Sequence, residues 1–346
     1  MGKMPSGWTT SGARVGALGA RWLAALLPIA AAAHAQGASP ALLVLEKGGR
    51  SLAIVDPGRL EVVARVEVGD DPHEVVASED GRFAYVSNYG AFSTPGHTLS
   101  VVDLVAQKAL PGVDLGALRA PHGLALVGGK VYFTAEGSKM IGRYDPATGR
   151  IDWALGIGQD RTHMLLVARD EGRIFTSNVN ADTITILERA KAGDVSGWTM
   201  THVAVGKGPE GFDVSPDGRE LWAANSHDGT VSVVGVGEKK VLQTFAANTK
   251  FANRVRFTPD GRRVLISDLG TGEVLVLDAA SRRELKRINL GHGAAGILIA
   301  PDGSRAYVAV SPDDQVAVVD LQTLSVTGRI GTGKGPDGMA WAAAVR

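Results

Sequence analysis

The sequence predicts an all-β protein, a seven-bladed β-propeller with four-stranded blades, on three observations. Short β-branched-rich runs alternate with turn signals along most of the chain. One four-strand unit recurs at a nearly constant interval. The first unit lacks a strand, and the C-terminus carries a spare one.

The unit is clearest at residues 255–290, VRFTPDGRRVLISDLGTGEVLVLDAASRRELKRINL. Thr258-Pro259-Asp260-Gly261 closes its first run and suits a type I turn, with Pro second and Gly last. The runs VLIS, EVLVLD and ELKRINL follow, separated by turn signals at 268–272 and 278–281. Near-continuous apolar character in the middle runs predicts strands covered on both faces. The Asp-Gly turn recurs at Asp80, Asp217, Asp260 and Asp302, with degenerate forms at Gly128-Gly129 and residues 170–172. An acid closes the third strand at Asp56, Asp103, Asp145, Glu188, Asp278 and Asp320, with Gly235 in the remaining unit; the intervals are 47, 42, 43, 47, 43 and 42 residues. Four strands in such a period predict a propeller blade. Turn-making is sufficient reason for these acids, because Asp bonds backbone N–H groups two residues on.

Residues 41–68 supply only three runs, and residues 337–345 have the first-strand pattern. The C-terminal strand should therefore complete the N-terminal blade and remove two exposed sheet edges. Complete units occupy 73–116, 122–156, 163–206, 210–247, 253–291 and 295–332. Two insertions interrupt the rhythm, at 89–98, a candidate lid, and at 189–197.

Residues 1–35 read separately. Lys3, Arg14 and Arg21 precede an apolar run at 22–33, and Ala33-His34-Ala35 offers a small-x-small cleavage site. This is the pattern of a signal peptide cleaved near Ala35, with an apolar run too short to span a bilayer. The expectation is a periplasmic or secreted, monomeric propeller over residues 36–346, without a membrane span once the signal is removed. With no cysteine in the chain, neither disulfides nor a lipid-modified cysteine is expected. Removing the leader leaves 33 basic against 36 acidic residues. No basic stripe interleaved with aromatics argues for nucleic acid. The GHGAAG at 291–296 matches a dinucleotide fingerprint by letter, but it leads into a strand, so the helix N-terminus that binds phosphate is missing.

The first strand of each blade lines a propeller's channel. Counting back seven residues from each Asp-Gly turn gives a ring of channel-entry residues: His73, His122, His163, Glu210, Asn253 and Ala295, with Asp337 from the shared blade. A second ring, on the same face, follows strand two: Glu46, Asn88, Glu136, Asn178, Asn225, Asp268 and Val310. Three imidazoles and a carboxylate suit one divalent metal ion, for which His73, His122, His163 and Glu210 are the candidate ligands. Ligand-binding candidates are these four with Asn88, Glu136, Asn178, Asn225, Arg254, Asp268 and Asp337. His122 and Glu136 are the candidate acid–base pair. A purely structural role, a metal site and a metal-free pocket for an organic ligand all stay open. The expected partner at the channel mouth is a small molecule or another protein.

The segments AYVSNYG…LSVVDL (84–104), LWAANSHDGTVSVV (221–234) and residues 306–342 resemble the YVTN-type seven-bladed propeller proteins over essentially all of 41–342. That resemblance implies an exported binding or scaffold module. The Pro72-His73 and Pro121-His122 pairs resemble those of lactonase propellers, and residues 131–151 resemble one repeat of the streptogramin lyases. These likenesses imply the alternative of a hydrolase or lyase acting on a lactone-like molecule. The haem d1 propellers share the architecture, but no haem-attachment Cys-x-x-Cys-His occurs in the chain.

Overall fold

Each of the seven repeats forms one four-stranded antiparallel sheet, and the sheets stand as the blades of a propeller. The computed structural model describes residues 39–91, 93–190 and 197–345. The signal-peptide reading and residues 191–196 of the second insertion fall outside them. Blade 1 pairs the C-terminal strand Pro336–Val345 with Ser39–Glu46, Ser51–Asp56 and Glu61–Glu67. The splice register is Leu42 opposite Trp341, Leu43 opposite Ala340 and Val44 opposite Met339. The innermost strands of blades 2 to 7 are Pro72–Ala77, Pro121–Val127, Thr162–Val167, Pro209–Val214, Ala252–Phe257 and Ala294–Ile299. Proline begins four of the seven, a position where its missing N–H disrupts no ladder.

Apolar side chains on both faces of the middle strands form one core at each junction between blades. Leu43, Leu45, Leu52 and Ile54 of blade 1 meet Val75, Val86 and Val102 of blade 2. Trp222 of blade 5, fully buried, packs edge-on against Phe257 of blade 6. Seven such clusters, one per junction, account for the near-continuous apolar runs. The turn acids bond as expected: Asp80 accepts from Arg82 N at 3.0 Å, and Asp56 from Gly58 N at 2.9 Å.

One feature of the backbone positions the channel mouth. Every innermost strand has a register shift near its start, between Pro72 and Val75 in blade 2 and at the equivalent place in the others. A bulge re-aims side chains and interrupts the ladder. In blades 2, 3, 4 and 6 a hydroxyl repairs the interruption. Ser87 accepts from Glu74 N (3.1 Å) and donates to the His122 carbonyl of blade 3 (2.7 Å). Thr134 joins Gly123 N to the His163 carbonyl, Ser177 joins Met164 N to the Glu210 carbonyl, and Ser267 joins Arg254 N to the Ala295 carbonyl. The residues that begin the bulges are thereby fixed in a ring.

Candidate metal centre and the cavity above it

The bulge ring brings the three histidines into contact. The rings of His73 and His122 are 4.4 Å apart, centroid to centroid, and those of His122 and His163 are 3.8 Å apart. His163 lies between two carboxylates, bonding Glu136 through Nδ1 and standing 3.0 Å from Glu210 Oε1 through Nε2. The second contact is close but poorly directed, so Nε2 and Glu210 Oε2 make no hydrogen bond among the described residues. Nor does His122 Nδ1, which is buried. Ligand atoms of His122, Glu136 and His163 all lie within 4.8 Å of one another.

Opposed environments give the imidazoles different charges. Burial, reinforced by His163, His73, Arg254 and Lys47, holds His122 well below its ordinary value, so it is neutral. Burial also disfavours the charged form of His163, but Glu210 and Glu136 outweigh it and raise the pKa to about 9. Glu210, which burial alone would raise, is carried down to about 2 chiefly by His163. His73 is differently engaged: its Nε2 lies 3.0 Å from both Lys47 Nζ and Asp71 Oδ2. Asp337 lies 3.5 Å from Lys47 and 4.0 Å from His73 Nδ1.

The second ring divides. Asn88 donates to Thr98 and Ser100, Asn178 to Thr183 and Thr185, and Asn225 to Thr230 and Ser232, all within their own blades. Asp268 accepts from the N–H groups of Lys250, Phe251 and Gly270. Glu46 accepts from Ser51, Arg65 and Gly333 N. Glu136 alone reaches an imidazole of the first ring. In blades 1, 2, 6 and 7 the residue one later reaches the mouth instead, and in three of these it stands just past the end of the second strand. Lys47, Leu269 and Ser311 line the cavity there, and Tyr89 donates to Glu136 Oε2 (2.8 Å) while its ring meets His73 and His122. Sequence reasoning placed Tyr89 only in a candidate lid and did not single out Lys47. Their constant offset from the second ring was the available signal. His292 sits outside the cavity, exposed and paired with Asp313, and His227 contacts Phe251.

One level deeper, the inner strands carry Glu74, Gly123, Met164, Gly211, Arg254, Gly296 and Gly338. A Cβ at any of the four glycines would meet the neighbouring strand's backbone at 2.2–2.8 Å, so glycine permits the close approach of blades. Glu74 of blade 2 and Arg254 of blade 6 are buried and ion-paired across the channel, and Asn253 Oδ1 accepts from Arg254 at 3.2 Å. Above this pair lies a cavity of about 410 Å³, lined by the three histidines, Glu210, Arg254 and residues of blades 1, 4, 6 and 7. A second cavity, about 460 Å³, lies between the extended hairpin of blade 2 and the loops of blades 3 and 4. Glu136 and Arg161 border it, and Arg161 borders both.

No family model matches the chain, and no curated protein matches it in sequence. Among solved structures it is similar to a functionally unknown protein from Desulfotomaculum acetoxidans (14% identity, TM-score 0.72, covering 87% of this chain and 98% of that one). It is also similar to hydrazine synthase of Kuenenia stuttgartiensis (18%, 0.65, 79% and 91%). A third is a candidate 6-phosphogluconolactonase of Bacteroides uniformis (16%, 0.71, 87% and 99%). At these identities the likeness establishes the fold.

Proposed function

We propose that this chain is an exported, YVTN-like propeller that holds one divalent cation through His122, Glu136 and His163 and presents it to a small molecule in the channel mouth. The observation that carries the reading is the buried convergence of those donor atoms within 4.8 Å, with His122 Nδ1 unpartnered. Two nitrogens and a carboxylate suit zinc, iron(II), cobalt or manganese. His122, neutral at pH 7, is ready to ligate. His163 must first lose a proton, and Glu210 beside it can accept a hydrogen bond from the ring nitrogen left over.

Charge supports the same reading. The cavity lining and its direct ion partners contain Lys47, Arg161 and Arg254 against Asp71, Glu74, Glu136, Glu210 and Asp337. Leaving the imidazoles aside, three cations and five carboxylates leave two negative charges; in the metal-free protein the charged His163 offsets one of them, and a divalent ion would take the place of its proton.

His73 would orient rather than ligate, since its Nε2 already faces Lys47 and Asp71. Three protein ligands also favour a second reading, hydrolase or lyase action on a lactone-like molecule, because catalytic sites keep a coordination position open. A bound divalent ion would polarise a carbonyl or acidify a water there. The test is elemental analysis of the purified protein beside His122→Ala and His73→Ala. The reading expects near-stoichiometric metal in the parent and in His73→Ala, lost in His122→Ala. A parent protein that takes up no metal at saturating zinc or cobalt contradicts it.

A further inference from the structure

We infer that the ligand of this cavity is a small, uncharged oxygen-donor molecule with an apolar ring, and that Phe251 selects it. The inference rests on the cavity being the binding site, as proposed above, and adds the chemical class of its occupant.

The lining is mostly polar, with one apolar strip. Blades 2 to 4 contribute His73, His122 and His163; across the axis blades 6 and 7 contribute Phe251, Leu269 and Ala295 as the strip, beside the polar Asn253, Arg254 and Ser311. Phe251 is 36% exposed, a large apolar ring left open at the cavity mouth. Its position is built. Asp268 accepts from its N–H at 2.8 Å, and its carbonyl accepts from Leu269 N at 2.9 Å. Asp268 thus holds Phe251, and the Phe251 carbonyl in turn holds Leu269. A molecule with an oxygen toward the imidazoles would lay its remaining surface on Phe251 and Leu269, where apolar contact is favourable.

The cationic side chains around the cavity are already neutralised. Lys47 faces Asp71 and Asp337 at 3.5 Å, Arg254 pairs with Glu74, and Arg161 lies 3.8 Å from Glu136. In the metal-free cavity a phosphate or polycarboxylate would have to displace one of these carboxylates, of which Glu74, Glu136 and Asp337 are largely buried. The cavity's own side chains therefore offer a polyanion no unpaired cation.

The test compares two uncharged lactones, dihydrocoumarin and glucono-δ-lactone, by ligand-observed NMR with cobalt-loaded and chelator-treated protein. Dihydrocoumarin, which carries the apolar ring, should bind about tenfold or more tighter than the polyhydroxylated lactone. Phe251→Ser should reduce that ratio to about twofold while leaving cobalt content unchanged. Inorganic phosphate at millimolar concentration should not compete in the chelator-treated protein. Equal affinity for the two lactones, a ratio unmoved by Phe251→Ser, or displacement by phosphate from the chelator-treated protein would overturn the inference. Failure to take up cobalt would instead count against the cation reading, and the lactone ratio in chelator-treated protein would still decide this one.

Discussion

Blades 2 to 4 and blades 6 to 7 present the same bulged backbone to the axis but different side chains. In the first arc the ring residues are imidazoles, backed by Glu136 and Tyr89. In the second they are Asn253 and Ala295, flanked by Phe251 and Leu269. Since the frame is common to both, the difference lies in single side chains at equivalent positions. Glu136 shows this most clearly. Asn88 and Asn178, its counterparts in the adjoining blades, bond hydroxyls of their own blades, whereas Glu136 turns to His163. A repeat fold is thus specialised by one residue leaving the pattern that its neighbours keep.

The largest effect should come from breaking the contact that joins the two arcs. Arg254→Met leaves Glu74 buried without its cation and is expected to cost about 3–5 kcal/mol in urea denaturation. Adding Glu74→Gln to that variant should recover most of the loss. A double variant no more stable than the single one would show that the pair does not act as a unit.

A smaller effect should follow from loosening the imidazole arc alone. Tyr89→Phe removes the hydrogen bond to Glu136 Oε2 while keeping the ring beside His73 and His122. Partners of metal ligands typically contribute about 10–100-fold to affinity. A cobalt titration should show a loss in that range, with thermal stability little changed. Phe251→Ser, in the other arc, should leave the same titration unaltered.

A third effect concerns protons. In metal-free protein the pKa of His163 is raised to about 9 in the folded chain, above the ordinary 6.5. Its favourable contribution is therefore complete below pH 6.5 and is lost as pH rises through about 9. Stability of the metal-free protein should decline across that interval, and the decline should disappear in His163→Gln. At pH 7, cation binding should release about one proton, because His163 is charged there and His122 is not.

The fold was legible because its signals are local and repeated. Each Asp-Gly turn and each third-strand acid states its own role, and seven copies fix the period. The spare C-terminal strand was readable for the same reason, since Leu43 and Ala340 each need a partner. The histidine ring was also legible, because a constant offset from the turns places His73, His122 and His163 at one level. Side-chain direction at the second ring was less so. One residue separates Asn88, bonded within its blade, from Tyr89, which faces the mouth, and only the pleat and the bulge decide between them. Contacts between distant blades were outside the reach of the sequence: Glu74 and Arg254 are 180 residues apart and meet only because the ring closes.

The most direct test of the account is X-ray absorption spectroscopy of the zinc-loaded protein. The account predicts a first shell of nitrogen and oxygen at about 2.0–2.2 Å, with outer-shell scattering from two imidazoles, falling to one in His122→Ala. Scattering from three imidazoles would place His73 among the ligands. An oxygen-only shell, unchanged in His122→Ala, would put the ion elsewhere and contradict the claim.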